Sequence, residues 1–196
     1  MTKSRRLMAR RPKKGGRKKP AWNIAGLDAE KPWPDFEGKL NLFGQFVGDW
    51  EIVDARYPKP DGTEIRRRGE IHFRWILEGR AVQDVWSMID EKTGKATPAG
   101  TTIRFYDPNA DTWHSVWISP RQHVVRSFLA RKINDEIVLE GEVRDGGYPE
   151  KWVFSEIEPD SFRWHSEETH DGGKMWIFNR GNVGSQEESL KVKKNT

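Results

Sequence analysis

The amino-acid sequence predicts an all-β fold, a single closed antiparallel up-and-down barrel of about ten strands. Runs rich in β-branched and aromatic residues recur with period two, and only short turn sequences separate them. The chain also has ten tryptophans, each of which can remove about 200 Å² from water in a barrel interior. Short turns join only antiparallel neighbours, and closure removes the two exposed edges of such a meander.

Residues 1–20 are predicted to form a disordered basic tail. They contain ten of the 34 basic residues and no acidic residue, so the rest of the chain has a net charge of −6 although the whole is +4. A segment this charged cannot bury enough apolar surface to fold alone. A solvated tail, a weak nonspecific contact with nucleic acid or another anionic surface, and a targeting segment are all compatible with it.

Residues 21–38 are predicted to be a linker, followed by one short helix over residues 39–47. Prolines exclude a regular helix in the linker, so its tryptophans Trp22 and Trp33 should tack it across the barrel surface or open end. The helix is indicated by apolar residues at three- and four-residue steps, namely Leu40, Phe43, Phe46 and Val47.

The barrel domain is predicted over residues 39–181, with a flexible C-terminal tail over residues 182–196. The predicted strands span residues 49–57, 64–77, 80–89, 100–106, 112–119, 123–131, 136–144, 150–157, 161–169 and 173–180.

The two ends of this strand series predict a structural floor made by Gly48, Trp50 and Arg180. A glycine suits a sharp entry into the first strand, and the following tryptophan can fill the barrel end. An arginine at the end of the last strand could then stack on Trp50.

Side-chain parity predicts which residues face the interior. In the second strand Ile71, Phe73, Trp75 and Leu77 share the apolar face. The same test places Glu156, Met175 and Ile177 inward in later strands. The residues predicted to contact a ligand are Trp75, Asp84, Trp86, Tyr106, Ser115, Trp117, Arg126, Trp152 and Trp164.

The polar members of this interior have two interpretations. Asp84 could pair with Arg126, or Glu156 with Arg126, because buried charges need partners. Alternatively, these polar groups could orient a ligand in an otherwise apolar cup, namely Asp84, Ser115, Arg126 and Glu156.

Residues 40–180 resemble the lipocalin-like, calycin-type β-barrel proteins, and more closely the DUF1579-like group of small bacterial and archaeal barrels. The stretches that carry the resemblance are residues 46–51, residues 69–80, Phe105-Tyr106-Asp107 and Arg180. The resemblance implies a barrel open at one end that holds a small, largely hydrophobic molecule. It implies no shared catalytic residues.

Neither a cofactor nor a metal site is predicted. Nitrobindin-like heme proteins are similar in architecture, but they have a longer Gly-x-Trp-x-Gly-x-Gly signature, whereas Glu51-Ile52-Val53 follows Trp50 here. The five histidines are interpreted as surface or hydrogen-bonded residues, and a zinc site formed by His165, Glu167 and a residue of a neighbouring strand is not favoured either.

The leading functional hypothesis is binding or sequestration of a small hydrophobic or aromatic ligand in the cup. The sequence has no nucleophile elbow, phosphate-binding loop or zinc-protease motif, so no catalytic residue is predicted. An isomerase, cyclase or hydratase would need only one acid and one base, for which Asp84 with Tyr106 or Arg126 are candidates.

The location predicted from the sequence is cytoplasmic. The chain contains no cysteine and no apolar stretch as long as a membrane span or a secretory core.

Overall fold

The computed structural model describes residues 26–59, 61–141 and 147–185. The predicted basic tail, Trp22 and the residues after 185 lie outside these ranges. A 3-10 helix at Pro34–Phe36 lies directly before the α-helix, and another, at Leu77–Gly79, connects the second strand to the third. The elements are α1 Glu37–Gly44, β1 Gly48–Pro58, β2 Glu64–Ile76, β3 Ala81–Ile89, β4 Ala96–Asp107, β5 Thr112–Ser119, β6 Val124–Ile133, β7 Glu136–Gly141, β8 Glu150–Glu158, β9 Ser161–Glu168 and β10 Ile177–Ser185.

The ten strands formed by the described residues close into one antiparallel barrel, as predicted. Each strand pairs with its neighbours in sequence, and β1 pairs with β10 to complete the ring. In this closing seam Glu51 lies opposite Ser185 and Arg56 lies opposite Gly181. The fold class and the short helix before the first strand are therefore confirmed.

The last strand differs from its predicted range. A turn centred on Asp171 holds the chain before β10, since this carboxylate accepts hydrogen bonds from the backbone N–H groups of Lys174 and Met175, both at 2.9 Å. Met175 is consequently 64% exposed and Ile177 47% exposed, so the prediction that they face inward was wrong. The strand begins at Ile177 and continues to Ser185, past the predicted barrel boundary at residue 181.

One end of the barrel, which we call the helix end, is closed by α1 and the residues that follow it. Phe43 packs edge-on against Trp113, with ring centroids 5.0 Å apart, and Phe46 stacks on Phe73 at 5.6 Å. Leu40, Phe43 and Phe46 are almost completely buried. Burial of side chains of this size stabilises the fold by about 1.5–3 kcal/mol each.

The linker is tied to the same end. The Ala29 N–H donates to the Trp75 carbonyl at 2.8 Å, and the Trp33 N–H donates to the Gly79 carbonyl at 3.0 Å. The Arg80 guanidinium lies 3.5 Å from the centroid of the Trp33 ring. Leu77 begins the 3-10 helix between β2 and β3 with a φ of 52°, and its side chain is exposed. Its predicted inward orientation was therefore wrong.

Trp50 is buried at the helix end, where its Nε1 donates to the Phe46 carbonyl at 2.6 Å. Its ring packs edge-on against Phe162, with centroids 4.8 Å apart. Arg180 does not stack on it. Because β10 starts at the opposite end and Gly181 pairs with Arg56, the register carries Arg180 away from the beginning of β1.

Across the described residues, no helix is long and apolar enough to cross a lipid bilayer.

Candidate functional site

A cavity of about 150 Å³ lies inside the barrel at the end opposite α1. We call this cavity the cup. A large part of its wall consists of seven aromatic side chains contributed by β1, β3, β5, β8 and β9. The lining residues are Tyr57, Ile71, Asp84, Trp86, Met88, Ala99, Thr102, Arg104, Trp117, Ser119, Gln122, Trp152, Phe154, Phe162, Trp164 and Arg180.

Three indoles form one continuous part of the wall. Trp117 and Trp152 meet edge to face with centroids 6.1 Å apart, and Trp152 and Trp164 do so at 5.3 Å. Phe128 supports Trp152 from behind at 4.3 Å. These contacts fix the rings in place, so the cup presents a preformed aromatic surface.

Two glycines allow tryptophan rings to lie directly on the backbone. A Cβ at Gly69 would lie 2.5 Å from Cη2 of Trp86, and a Cβ at Gly100 would lie 2.4 Å from Cη2 of Trp117. Any larger residue would therefore displace the ring above it. Aromatic cover of strand glycines is a recurrent way of packing curved sheets.

The floor of the cup contains a buried ion pair. Arg104 Nη1 donates to Asp84 Oδ2 at 2.5 Å, and the two side chains are 3% and 1% exposed. The guanidinium also faces the Phe43 ring, at 5.0 Å from its centroid. Within the described residues, Asp84 Oδ1 and Arg104 Nε have no hydrogen-bond partner. Such unpaired buried atoms cost about 1–3 kcal/mol each unless something binds them.

The wall near the mouth contains a second group of charges, which we call the arginine cluster: Arg126, Glu150 and Arg180. Glu150 accepts from Arg126 Nη1 and from Trp152 Nε1, both at 2.8 Å. Arg180 Nη2 lies 3.7 Å from the same carboxylate and faces both Trp152 and Trp164. The cluster leaves one positive charge uncompensated.

Burial lowers the pKa of Arg180, and repulsion from Arg126 acts in the same direction against the attraction of Glu150. Burial also raises the pKa of Tyr57, which lines the cup. The phenol therefore stays protonated and can donate a hydrogen bond.

The structure brings five of the predicted ligand contacts together at the cup: Asp84, Trp86, Trp117, Trp152 and Trp164. Ser115 is completely buried, and its Oγ is another atom without a partner in the described part of the chain. Arg126 belongs to the arginine cluster rather than pairing with Asp84. Glu156 points outward and pairs with Arg163, because the backbone at Glu156 adopts a φ of 47° at a strand irregularity.

The other two predicted contacts lie at the helix end. Trp75 packs against α1, where a Cβ on Gly44 would meet its ring at 2.5 Å. Tyr106 donates its hydroxyl to Asp111 at 2.6 Å and lines a wider surface groove of about 780 Å³ beside α1. The charged residues of that groove are exposed, among them Lys39 and Asp111, which pair with each other. The acid and base candidates Asp84 and Tyr106 thus line different cavities, Asp84 the cup and Tyr106 the groove beside α1.

Arg104 and Arg180 are the main lining residues that the sequence did not reveal. Arg104 shares parity with Tyr106 in β4, so the alternation rule would have placed it inside. Arg180 required the correct start of β10.

The histidines lie on the outer surface or in turns, where His72 contacts Asp49 and His170 contacts Glu168. In the ranges that the structure describes, no three histidine, aspartate or glutamate side chains converge in a way that could hold a metal ion.

Comparisons with known proteins identify the fold and not a family. No family model and no curated protein matches the chain. Seventeen chains among the solved structures do. One is Rv2717c from M. tuberculosis, with a TM-score of 0.51 and 11% identity, covering 81% of this chain and 100% of that one. Another is the S-type phycobiliprotein lyase CPES from Guillardia theta, with a TM-score of 0.51 and 10% identity, covering 76% and 92%. The chain therefore has a lipocalin-like β-barrel fold.

Proposed function

We propose that the protein binds a small aromatic or largely hydrophobic molecule in the cup. The observation that carries this proposal is the combination of a fixed tryptophan wall with buried polar atoms that lack partners at its floor. Buried carboxylate oxygens without a hydrogen-bond partner are uncommon in folded proteins, and a bound ligand group is one explanation for them. Preformed apolar cavities with a few convergent polar groups are typical of ligand sites.

The size of the cup limits what it can hold. A cavity of about 150 Å³ lined by apolar side chains is large enough for a benzene molecule. The cup is open to solvent, so a longer ligand can extend through the mouth. We also propose that the chain is a member of the DUF1579-like group. The cytoplasmic location and a polyanion contact of the tail stay predictions from the sequence.

The test uses N-phenyl-1-naphthylamine, a neutral probe that fluoresces in apolar surroundings and accepts excitation energy from tryptophan. We expect saturable probe emission when the full-length protein is excited at its tryptophans. Ala99→Trp should block the cup and abolish this signal. Val125→Trp, at an exposed outer position, is the matched control and should retain it.

Equal probe binding by the wild type and Ala99→Trp would show that the cup is not the site. Native mass spectrometry of the protein purified from its own host supplies an independent measurement. An intact copurified small molecule would support binding, whereas a mixture of substrate and product would favour an enzyme.

A further inference from the structure

Two polar atoms at the floor of the cup, Asp84 Oδ1 and Arg104 Nε, indicate which functional group a ligand would place there. Asp84 Oδ1 can only accept a hydrogen bond when the carboxyl is ionised, and Arg104 Nε can only donate one. Both atoms lack a partner in the described residues, and both belong to residues that line the cup. A hydroxyl group is donor and acceptor at once, so one hydroxyl could satisfy both atoms.

The excess positive charge of the arginine cluster favours a negatively charged ligand group near the mouth of the cup. Two guanidinium groups share the single carboxylate of Glu150, and only Arg126 is within hydrogen-bond distance of it. Arg180 is 28% exposed and donates no hydrogen bond within the described part of the chain, so its fork of N–H groups is available. A planar guanidinium of this kind binds a carboxylate with two parallel hydrogen bonds.

The wall between these two positions favours a flat ring. Trp86, Trp117 and Trp164 present indole surfaces to the same space, and Arg180 already lies beside two of the indoles of this wall. A ligand that places an aromatic ring here would bury apolar surface without leaving a polar group unpaired.

We propose that the ligand is a hydroxylated aromatic carboxylic acid, whose hydroxyl meets Asp84 and Arg104 at the floor and whose carboxylate meets Arg180. This inference rests on the proposed function, because it specifies the chemistry of the molecule held in the same cup. It makes Arg180 a determinant of ligand specificity.

Isothermal titration calorimetry of the full-length protein with matched ligands tests each contact. The probes are 4-hydroxybenzoate, its uncharged amide and its methyl ether 4-methoxybenzoate, together with the same three derivatives of 6-hydroxy-2-naphthoate. Hydrogen bonds to charged groups contribute enough that loss of either contact should weaken binding about tenfold or more. We therefore expect the hydroxy acid to bind best in at least one ring series.

A variant separates the carboxylate contact from general affinity. Arg180→Met keeps an unbranched side chain but removes the guanidinium, and it leaves Arg126 paired with Glu150. It should bring the acid and the amide to the same affinity. Arg163→Met removes an arginine of the outer surface that pairs with Glu156, and it should leave the preference for the acid intact.

The outcomes are distinguishable. Equal affinities for acid and amide in the wild type, or for hydroxyl and methyl ether, would overturn this inference. So would a complete lack of binding of both hydroxy acids. In each case the proposed function stands if the naphthylamine probe still binds in a manner that Ala99→Trp blocks. Failure of that probe as well would remove the proposed function itself.

Discussion

At the scale of single residues, the cup depends on positions that have no side chain. Gly100 lies beneath Trp117, and its hypothetical Cβ would also fall 2.7 Å from the Ile118 carbonyl, which is part of the backbone and cannot move aside. Trp117 must then tilt away from its seat. The shape of the wall is thus determined by a glycine on the neighbouring strand as much as by the tryptophan.

Gly100→Ala should lower the free energy of unfolding by about 1–3 kcal/mol, the usual cost of overpacking. Urea denaturation measures this loss, and the naphthylamine titration should show weaker binding because Trp117 is displaced. Gly38→Ala is the matched control, since its Cβ meets nothing within 4 Å and lies in α1. Alanine there should stabilise the protein by about 0.5–1 kcal/mol. A Gly100→Ala protein as stable as the wild type would refute the packing argument.

Arg180 shows where reasoning from the sequence reached its limit. The sequence suggests a structural role for it beside Trp50, from which Arg180→Ala would lower stability and leave affinity unchanged. In the structure Arg180 instead lines the cup, so we expect Arg180→Ala to weaken the binding of carboxylic acids. The predicted range of the last strand, 173–180, ends at Arg180, whereas β10 begins at Ile177, so the prediction placed Arg180 at the wrong end of the strand.

At the scale of elements, the outer faces of β1 and β2 are joined by a small charge network. Asp49 contacts His72 at 2.6 Å and Arg74 at 2.7 Å, and His72 Nε2 also lies 3.3 Å from Glu70. Burial acts to lower the pKa of His72, but the hydrogen bonds to Asp49 and Glu70 outweigh it and raise the pKa. The network therefore favours the charged imidazole in the folded state.

Because the folded pKa of His72 is above the unfolded value of about 6.5, its contribution to stability is complete below that pH and disappears as the pH rises through the folded pKa. His72→Gln should therefore lower the melting temperature more at pH 5.5 than at pH 8.5. Thermal denaturation at both pH values measures this difference. In an Asp49→Asn background the pH dependence should shrink, and an unchanged difference there would show that Asp49 is not the partner responsible.

The strands themselves were largely predictable, because alternation and turn residues are local signals. Nearly all strand positions follow from them, including the inward orientation of Trp86, Trp117, Trp152 and Trp164. The last strand was predicted to begin four residues too early, because the turn at Asp171 is formed by hydrogen bonds from backbone N–H groups to its side chain. Hydrophobic periodicity does not record such bonds.

At the scale of the whole molecule, α1 and the segment after it close one end of the barrel, so the cup opens to solvent at the other end. Phe46 contacts rings from four strands, namely Trp50 at 6.2 Å, Phe73 at 5.6 Å, Phe154 at 5.0 Å and Phe162 at 5.2 Å. The closure and the general shape could be inferred from the sequence. The ion pair of Asp84 with Arg104 could not, because it depends on the relative register of two strands.

We call α1 and the residues that join it to β1 the plug. Phe46→Ala should cost about 3–5 kcal/mol of unfolding free energy, since it leaves a cavity where four strands meet the plug. Phe178→Ala removes a ring that is 44% exposed on the outer surface and should cost far less. Equilibrium unfolding in urea compares the two. Similar losses for both variants would contradict the view that the plug holds the barrel closed.

The closing seam between β1 and β10 has a consequence for how the chain reaches this state. Every other strand pair joins neighbours in sequence, so those hairpins can form as soon as their residues are available. The seam joins the first strand to the last, so it closes the longest loop of the barrel and should form after the hairpins. We therefore expect the edge of β1 that pairs with β10 to remain without a partner during synthesis until β10 has emerged from the ribosome. The interval before closure is therefore when this protein is most exposed to aggregation and to chaperones.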